Sequence, residues 1–273
     1  MEHRAQNDDV SLSYDFEGPP AAPPVLLINS IASTRELWAR QVPAFAALHR
    51  VIRYDARGHG RSSVPNGEYT IEQLGRDALA ILDDAGVEAA HVCGISLGGL
   101  TAQWLGVHAP ERVRSLVLAN TAARIGTAEG WSERIALVRE KGMDLLAEMT
   151  IPRWFSAEFQ ARDPETVRGF RTMIQACSQI GYLGCCAALR DADLRQEISA
   201  IRCPTLVIAS TDDAATPSDG LALIRDRVPG ARMVTVESRH LSNIECAEEF
   251  TAAVLDFLAD VTTRGDAEAR SEL

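Results

Sequence analysis

Short apolar runs alternate along the chain with longer stretches whose apolar residues recur at helical spacing. That is the pattern of strand–helix units around a mainly parallel sheet. Val25–Asn29, Val51–Tyr54, His91–Ile95, Val113–Leu118 and Thr205–Ala209 read as strands, as does Arg232–Val236. Several are apolar at consecutive positions, which suits strands covered by helices on both faces. Ile71–Ala85, Leu97–His108 and Ala247–Leu258 carry the helical period, and Val10–Phe16 alternates like an antiparallel edge hairpin strand. The alternation stops after Thr121. From there to Ser199 no strand is legible, and Trp131–Glu140 and Pro164–Cys177 read as helices. Strand–helix reading resumes at Cys203-Pro204. The pattern therefore predicts an α/β core made of residues 1–121 and 200–261. A helical cap, residues 122–199, is expected over the carboxyl ends of the strands, where such sheets bind ligands. The polar residues 262–273 are expected to fray.

Composition narrows the function. The chain has 273 residues, 46% of them hydrophobic, enough for a sizeable core. Its net charge of −11 argues against nucleic acid and anionic membrane surfaces as partners, since both need a basic patch. An anionic substrate would need a local cation. Residues 1–9 are polar with no apolar stretch behind them, and no apolar run is long enough to span a bilayer, so a cytoplasmic protein is expected. The cysteines, 93, 177, 185, 186, 203 and 246, show neither metal spacing nor a disulfide framework and read as free thiols. No cofactor or metal motif is present, and nothing in the spacing encodes an oligomeric state.

The chemistry centres on Gly94-Ile95-Ser96-Leu97-Gly98. A bare G-x-S-x-G arises by chance in a chain like this about one time in twelve. Context makes it specific: it follows a strand and opens a helix, as a nucleophile elbow requires. The bland alternative is a serine N-cap at a glycine-rich contact. A serine hydroxyl needs a base, and the base a carboxylate that holds its tautomer. His240 follows the last strand, where the base belongs; His108, the other histidine after Ser96, ends the helix that the serine opens. The carboxylate should follow Thr205–Ala209, where Asp212 and Asp213 are neighbours; spacing does not choose between them, and Glu237 is a weaker alternative. Oxyanion donors are expected at the Leu97 N–H and, in the loop after Val25–Asn29, at the Ile31 N–H. The polar turn Tyr54–Ser62 lacks the phosphate-loop pattern and reads as a structural turn closing one wall of the site.

These residues resemble the α/β-hydrolases, through the elbow, the segment 53–62 and His240–Glu245. The finer pattern resembles the 3-oxoadipate enol-lactonases, over roughly residues 10–260. It is carried by Asn29-Ser30, Cys93–Thr101, Ala119–Gly126, Arg153-Trp154-Phe155 and Gly181–Asp191. The resemblance implies an α/β-hydrolase fold with a mainly parallel eight-stranded sheet and a helical cap after the sixth strand. It also implies Asp213 as the acid, from Thr211-Asp212-Asp213, and a small anionic lactone as substrate. Departures are Ala32 where a glycine is usual, Ser210 before the threonine, and Ser238-Arg239 before His240. For the substrate carboxylate Arg124 is the expected cation, with Trp131 and Trp154 as pocket walls; surface charge and insertion core are the alternatives. Rival activities are a carboxylesterase, another lactonase or a perhydrolase of the same fold. A catalytically inert small-molecule binding protein of this fold is the non-enzyme rival.

Overall fold

The computed structural model describes residues 2–271. An eight-stranded sheet runs in the order β1-β2-β4-β3-β5-β6-β7-β8. Its strands are β1 (His3–Asn7), β2 (Val10–Glu17), β3 (Pro24–Ile28), β4 (Arg50–Tyr54), β5 (Ala90–Ile95), β6 (Val113–Ala119), β7 (Thr205–Ser210) and β8 (Arg232–Val236). The pairs β1–β2 and β2–β4 are antiparallel and every other pair is parallel. The helices are α1 (Val42–Ala46), α2 (Ile71–Asp84), α3 (Leu97–His108), α4 (Ala128–Trp154), α5 (Ala157–Arg162), α6 (Pro164–Ala176), α7 (Gln179–Asp191), α8 (Ser218–Arg227), α9 (Ser242–Glu245) and α10 (Ala247–Ser271).

Why the central strands are apolar at every position is visible in what they feed. Leu26, Val92, Leu116, Leu118 and Val207 join one core with α2, α3 and α8. Their neighbours Leu27, Cys93, Val117, Ala119 and Leu206 point the other way, into a second core with α1 and α10. Alternate side chains on a strand face opposite sides, so two covered faces demand a continuous apolar run.

One expectation needs correction. The edge strand is not Val10–Phe16 but His3–Asn7, which pairs with it residue for residue. The first nine residues hide this strand because an edge strand is half bare. Of it only Ala5 is fully buried, while the backbone ladder supplies the rest of its stabilisation. Of the segment 262–273 expected to fray, residues 262–271 belong to α10 and residues 272–273 lie outside those described.

Between β6 and β7 lie α4 to α7. Gly142 interrupts α4 at φ 80° and ψ −173°, a backbone region reserved for glycine. The break has a purpose. In a straight helix Trp131 and Trp154 would stand about 35 Å apart; here both reach one cavity. Among the described residues no helix is long and apolar enough to cross a membrane, and all six cysteines are free.

The core also carries an acid-sensitive group. His91 on β5 is buried against Ser115, with Nδ1 2.7 Å from the hydroxyl. Burial, with smaller contributions from His49 and Arg114, lowers its pKa to about 4. As pH falls the unfolded chain takes up this proton first. Stability from the neutral ring is complete above pH about 6.5 and is lost progressively down to about 4, on the order of 3 kcal/mol. Urea midpoints at pH 7 and 5 should therefore diverge clearly for the wild type and less for His91→Gln; parallel losses in the two proteins would contradict this.

Candidate active site

Ser96 stands at the turn from β5 into α3, with φ 59° and ψ −120°. A non-glycine residue at positive φ is strained, and that strain is tolerated where the surroundings over-determine it. Here the Ser96 amide donates to the Ala119 carbonyl at 3.0 Å, and Thr121 Oγ1 donates to the Ser96 carbonyl at 2.7 Å. The flanking glycines follow from the crowding. A Cβ on Gly94 would lie 2.2 Å from the Gly98 carbonyl oxygen, and one on Gly98 would lie 2.2 Å from that of Ile28. No side chain fits either position.

His240 and Asp213 come from loops after β8 and β7. His240 Nδ1 donates to Asp213 Oδ2 at 2.9 Å, and both side chains are buried. The carboxylate is gripped from several sides. It accepts from the Ala215 amide at 2.8 Å, the Thr216 amide at 3.0 Å, Thr216 Oγ1 at 2.6 Å and Asn120 Nδ2 at 3.0 Å. Burial alone would push this carboxyl up. The His240 charge and the hydrogen bonds from His240, Thr216 and Asn120 outweigh it and hold the pKa well below the usual carboxylate range. Asn120 is held in turn, its Oδ1 accepting from Ser242 Oγ at 2.5 Å and its Nδ2 donating to Ser210 Oγ at 2.7 Å. Ser210 and Ser238, two of the departures noted above, hydrogen bond to each other at 2.7 Å. Asp212, by contrast, is exposed and pairs with Arg239 Nε at 2.9 Å. Glu245 accepts from the Arg239 amide at 3.1 Å and from Ser156, tying the loop before His240 to the inserted helices.

Ser96 and His240 line one cavity together with Ile31, Ala32, Ile125, Trp131, Thr150, Trp154 and Tyr182. Leu97 opens α3, so its N–H has no partner within the helix. The cavity holds about 80 Å³, which favours a small substrate. A surface cleft of about 440 Å³ beside Gln6, Arg76 and Asp84 is larger, but it is lined by neither serine nor histidine.

The cavity contains Trp131 and Trp154 but not Arg124. Arg124 borders a neighbouring depression beside Pro217 and Asp219, and its guanidinium faces Asp193 at 3.5 Å. Its position at the exit from β6 turns it away from Ser96. Two other arginines line the cavity instead, Arg134 and Arg153. Among the described residues neither forms an ion pair; Arg153 donates to the Ala214 carbonyl at 3.1 Å. The sequence reading offers neither as the cation, although a signal exists. Arg134 lies three residues after Trp131, and Thr150 and Arg153 precede Trp154 by four and one. On a helix residues three or four apart share a face, so fixing the tryptophans would have drawn in Arg134 and Thr150. Motif reading assigns no role to Asn120, Thr216 or Glu245, although Asn120 and Glu245 lie in segments that carry the resemblance, since each acts by holding another residue.

A profile of the alpha/beta hydrolase fold matches residues 23–247. The chain is 39% identical over 246 residues to 3-oxoadipate enol-lactonase 2 of Acinetobacter baylyi, covering 90% of this chain and 92% of that one. The crystal structure of the enol-lactonase from Burkholderia xenovorans LB400 superposes with a TM-score of 0.93. It is 39% identical, with 94% of this chain and 100% of that chain covered. A hydrolase from Pseudomonas aeruginosa PA01 is 44% identical with a TM-score of 0.90, over 94% and 98% of the two chains.

Proposed function

The chain belongs to the alpha/beta hydrolase fold family and is an ester-hydrolysing enzyme, and we propose that its substrate is 3-oxoadipate enol-lactone, opened by a Ser96–His240–Asp213 triad. The observation that supports this reading is one small cavity in which Ser96 and His240 share walls with the guanidinium of Arg134, which among the described residues has no acidic partner. A protein with net charge −11 has little reason to leave a half-buried arginine unpaired unless its substrate brings the anion.

In this mechanism Ser96 Oγ bonds to the lactone carbonyl carbon as its proton passes to His240 Nε2. The carbonyl oxygen becomes an oxyanion, held by the Ile31 and Leu97 amides. The ring C–O bond then breaks, and His240 returns the proton to the departing enol oxygen. That enol tautomerises to the ketone, which makes ring opening effectively irreversible. Water, deprotonated by His240, attacks the acyl-enzyme; Ser96 leaves with the proton and 3-oxoadipate is released. Asp213 stays ionised throughout, holding Nδ1 protonated so that Nε2 is free to act as the base. Helices α4 to α7 act as a cap that excludes bulk water and supplies the anion-binding arginine. The enzyme then serves aromatic catabolism through the β-ketoadipate pathway, in the cytoplasm.

The test is the loss of enol-lactone absorbance with purified protein, beside a neutral aryl ester. The lactone should turn over faster; preference for the aryl ester would replace this reading with a general carboxylesterase. Arg134→Ala should raise KM for the anionic lactone about 10- to 100-fold, as expected for losing a hydrogen-bonded charge pair worth roughly 1.5–3 kcal/mol. It should leave KM for the neutral ester within about twofold. Equal effects on both substrates would remove Arg134 from carboxylate binding.

A further inference from the structure

We propose that His59 is a positioning residue for oxyanion stabilisation: by accepting the Ala32 amide it holds the loop after β3 so that the Ile31 amide is the one left free beside Ser96. This rests on the acyl-transfer reading above and adds a residue to it.

His59 is 2% exposed, within the turn expected only to close a wall of the site. Its Nε2 lies 3.0 Å from the Ala32 nitrogen, and its Nδ1 lies 3.1 Å from the Arg57 carbonyl oxygen. An amide can only donate and a carbonyl can only accept. The two bonds together therefore require a neutral ring with its proton on Nδ1. Burial supports this by pulling the ring's pKa below the usual histidine range, against the weaker upward pull of the Arg57 carbonyl and Asp55.

What the ring holds is a strained residue. Ala32 sits at φ 59°, where an L side chain costs roughly 1–2 kcal/mol. Alanine lacks glycine's freedom there, so an external tie keeps it in place. The same turn provides another. Asp55 Oδ1 accepts the Arg35 amide at 2.9 Å, and its Oδ2 accepts the Arg61 amide at 3.0 Å. The loop is thus held from the turn at residues 32 and 35, on the far side of Ile31 from β3.

The consequence is a division of labour between neighbouring amides. Ala32 N–H is committed to His59. Among the described residues, the Ile31 and Leu97 amides donate to no protein acceptor. The turn also bears on the inserted helices, since a Cβ on Gly58 would fall 2.4 Å from Gly181 Cα on α7. Next to Gly181 is Tyr182, which lines the cavity. One rigid turn therefore sets both the oxyanion loop and the position of a cavity wall.

The experiment uses propylboronic acid, which forms a tetrahedral boronate on a reactive serine, and amide NMR of the full chain. The Ile31 and Leu97 amide resonances should move downfield on adduct formation. Ala32 should keep its position and its coupling across the hydrogen bond to His59 Nε2. In kinetics, His59→Met removes the acceptor and should lower kcat about 10- to 100-fold with KM within twofold, less than the loss of a whole oxyanion donor. His59→Gln, which can place an oxygen near the Nε2 position, should recover most of that loss. If His59→Met does not fold, the wild-type NMR decides alone. An adduct that shifts Ala32 and leaves Ile31 still, or equal kcat in folded Met and Gln variants, would overturn the proposal while sparing the hydrolase reading. No boronate on Ser96 would sink both.

Discussion

Replacing Ser96 with alanine is expected to lower kcat/KM for the enol-lactone by about 10⁴- to 10⁶-fold while leaving a folded protein. In the proposed mechanism the hydroxyl forms the acyl bond, and the residual rate is what oxyanion donors and binding alone provide. The elbow's own geometry supplies a control that a merely destabilised enzyme would not reproduce. Ser96 is held at φ 59° by bonds through its amide and its carbonyl, none of which uses the side chain. Alanine keeps those bonds and the strain, so its unfolding free energy should stay within about 1 kcal/mol of wild type. Glycine adopts positive φ without a clash. Ser96→Gly should therefore be as inactive as Ser96→Ala yet more stable by about 1 kcal/mol, the strain that the serine bears. Denaturant unfolding and lactone hydrolysis on the same preparations test this. Activity above about 1% of wild type in either variant would remove Ser96 from the nucleophile's role.

Asp213→Asn is the second large effect, expected at about 10⁴-fold in kcat. Asp213 accepts from the Ala215 and Thr216 amides, Thr216 Oγ1, Asn120 Nδ2 and His240 Nδ1. Every partner is a donor. An asparagine has one oxygen and an NH2 group, so at least one donor must meet another donor. The relaxation open to His240 is to move its proton to Nε2, which removes the base. A buried unsatisfied group costs about 1–3 kcal/mol, so stability should fall by a similar amount. Asp212→Asn provides the contrast. Its carboxylate is exposed and faces Arg239, an arrangement worth little in water, and kcat should stay within about twofold. Comparable losses in the two variants would mean that the wrong carboxylate has been assigned.

The two aspartates also show where sequence reading stops. Side by side in a loop, Asp212 and Asp213 are equivalent by spacing, and resemblance to known enzymes rather than physics separated them. In the structure the separation is physical: the turn sends one inward to a ring of donors and the other into solvent. Arg124 teaches the same lesson in reverse. Its residue type and its place at the exit from the sheet fit an anion site, yet it points to Asp193, and the cavity takes Arg134 from α4 instead. The break at Gly142 is what folds α4 so that Trp131, Arg134 and Trp154 converge. Helical periodicity assigns residues to faces within a helix, and it carries no information about where two halves of a broken helix meet.

By itself the sequence determined the sheet, and it named the serine and the histidine proposed as nucleophile and base. Those features are local: an elbow is five consecutive residues, a buried parallel strand is a run of apolar ones, and one histidine stands where the base must come. The edge strand β1 escaped because a half-exposed ladder leaves almost no apolar trace. What the tertiary structure decided is which groups hold the chemistry in place: Asn120 and Thr216 on Asp213, His59 on Ala32, Arg134 facing the cavity. Each contact joins residues brought together by folding, many of them distant in the chain. Hydrogen bonding and charge pairing act over a few ångströms of space, and only the closed fold sets those distances.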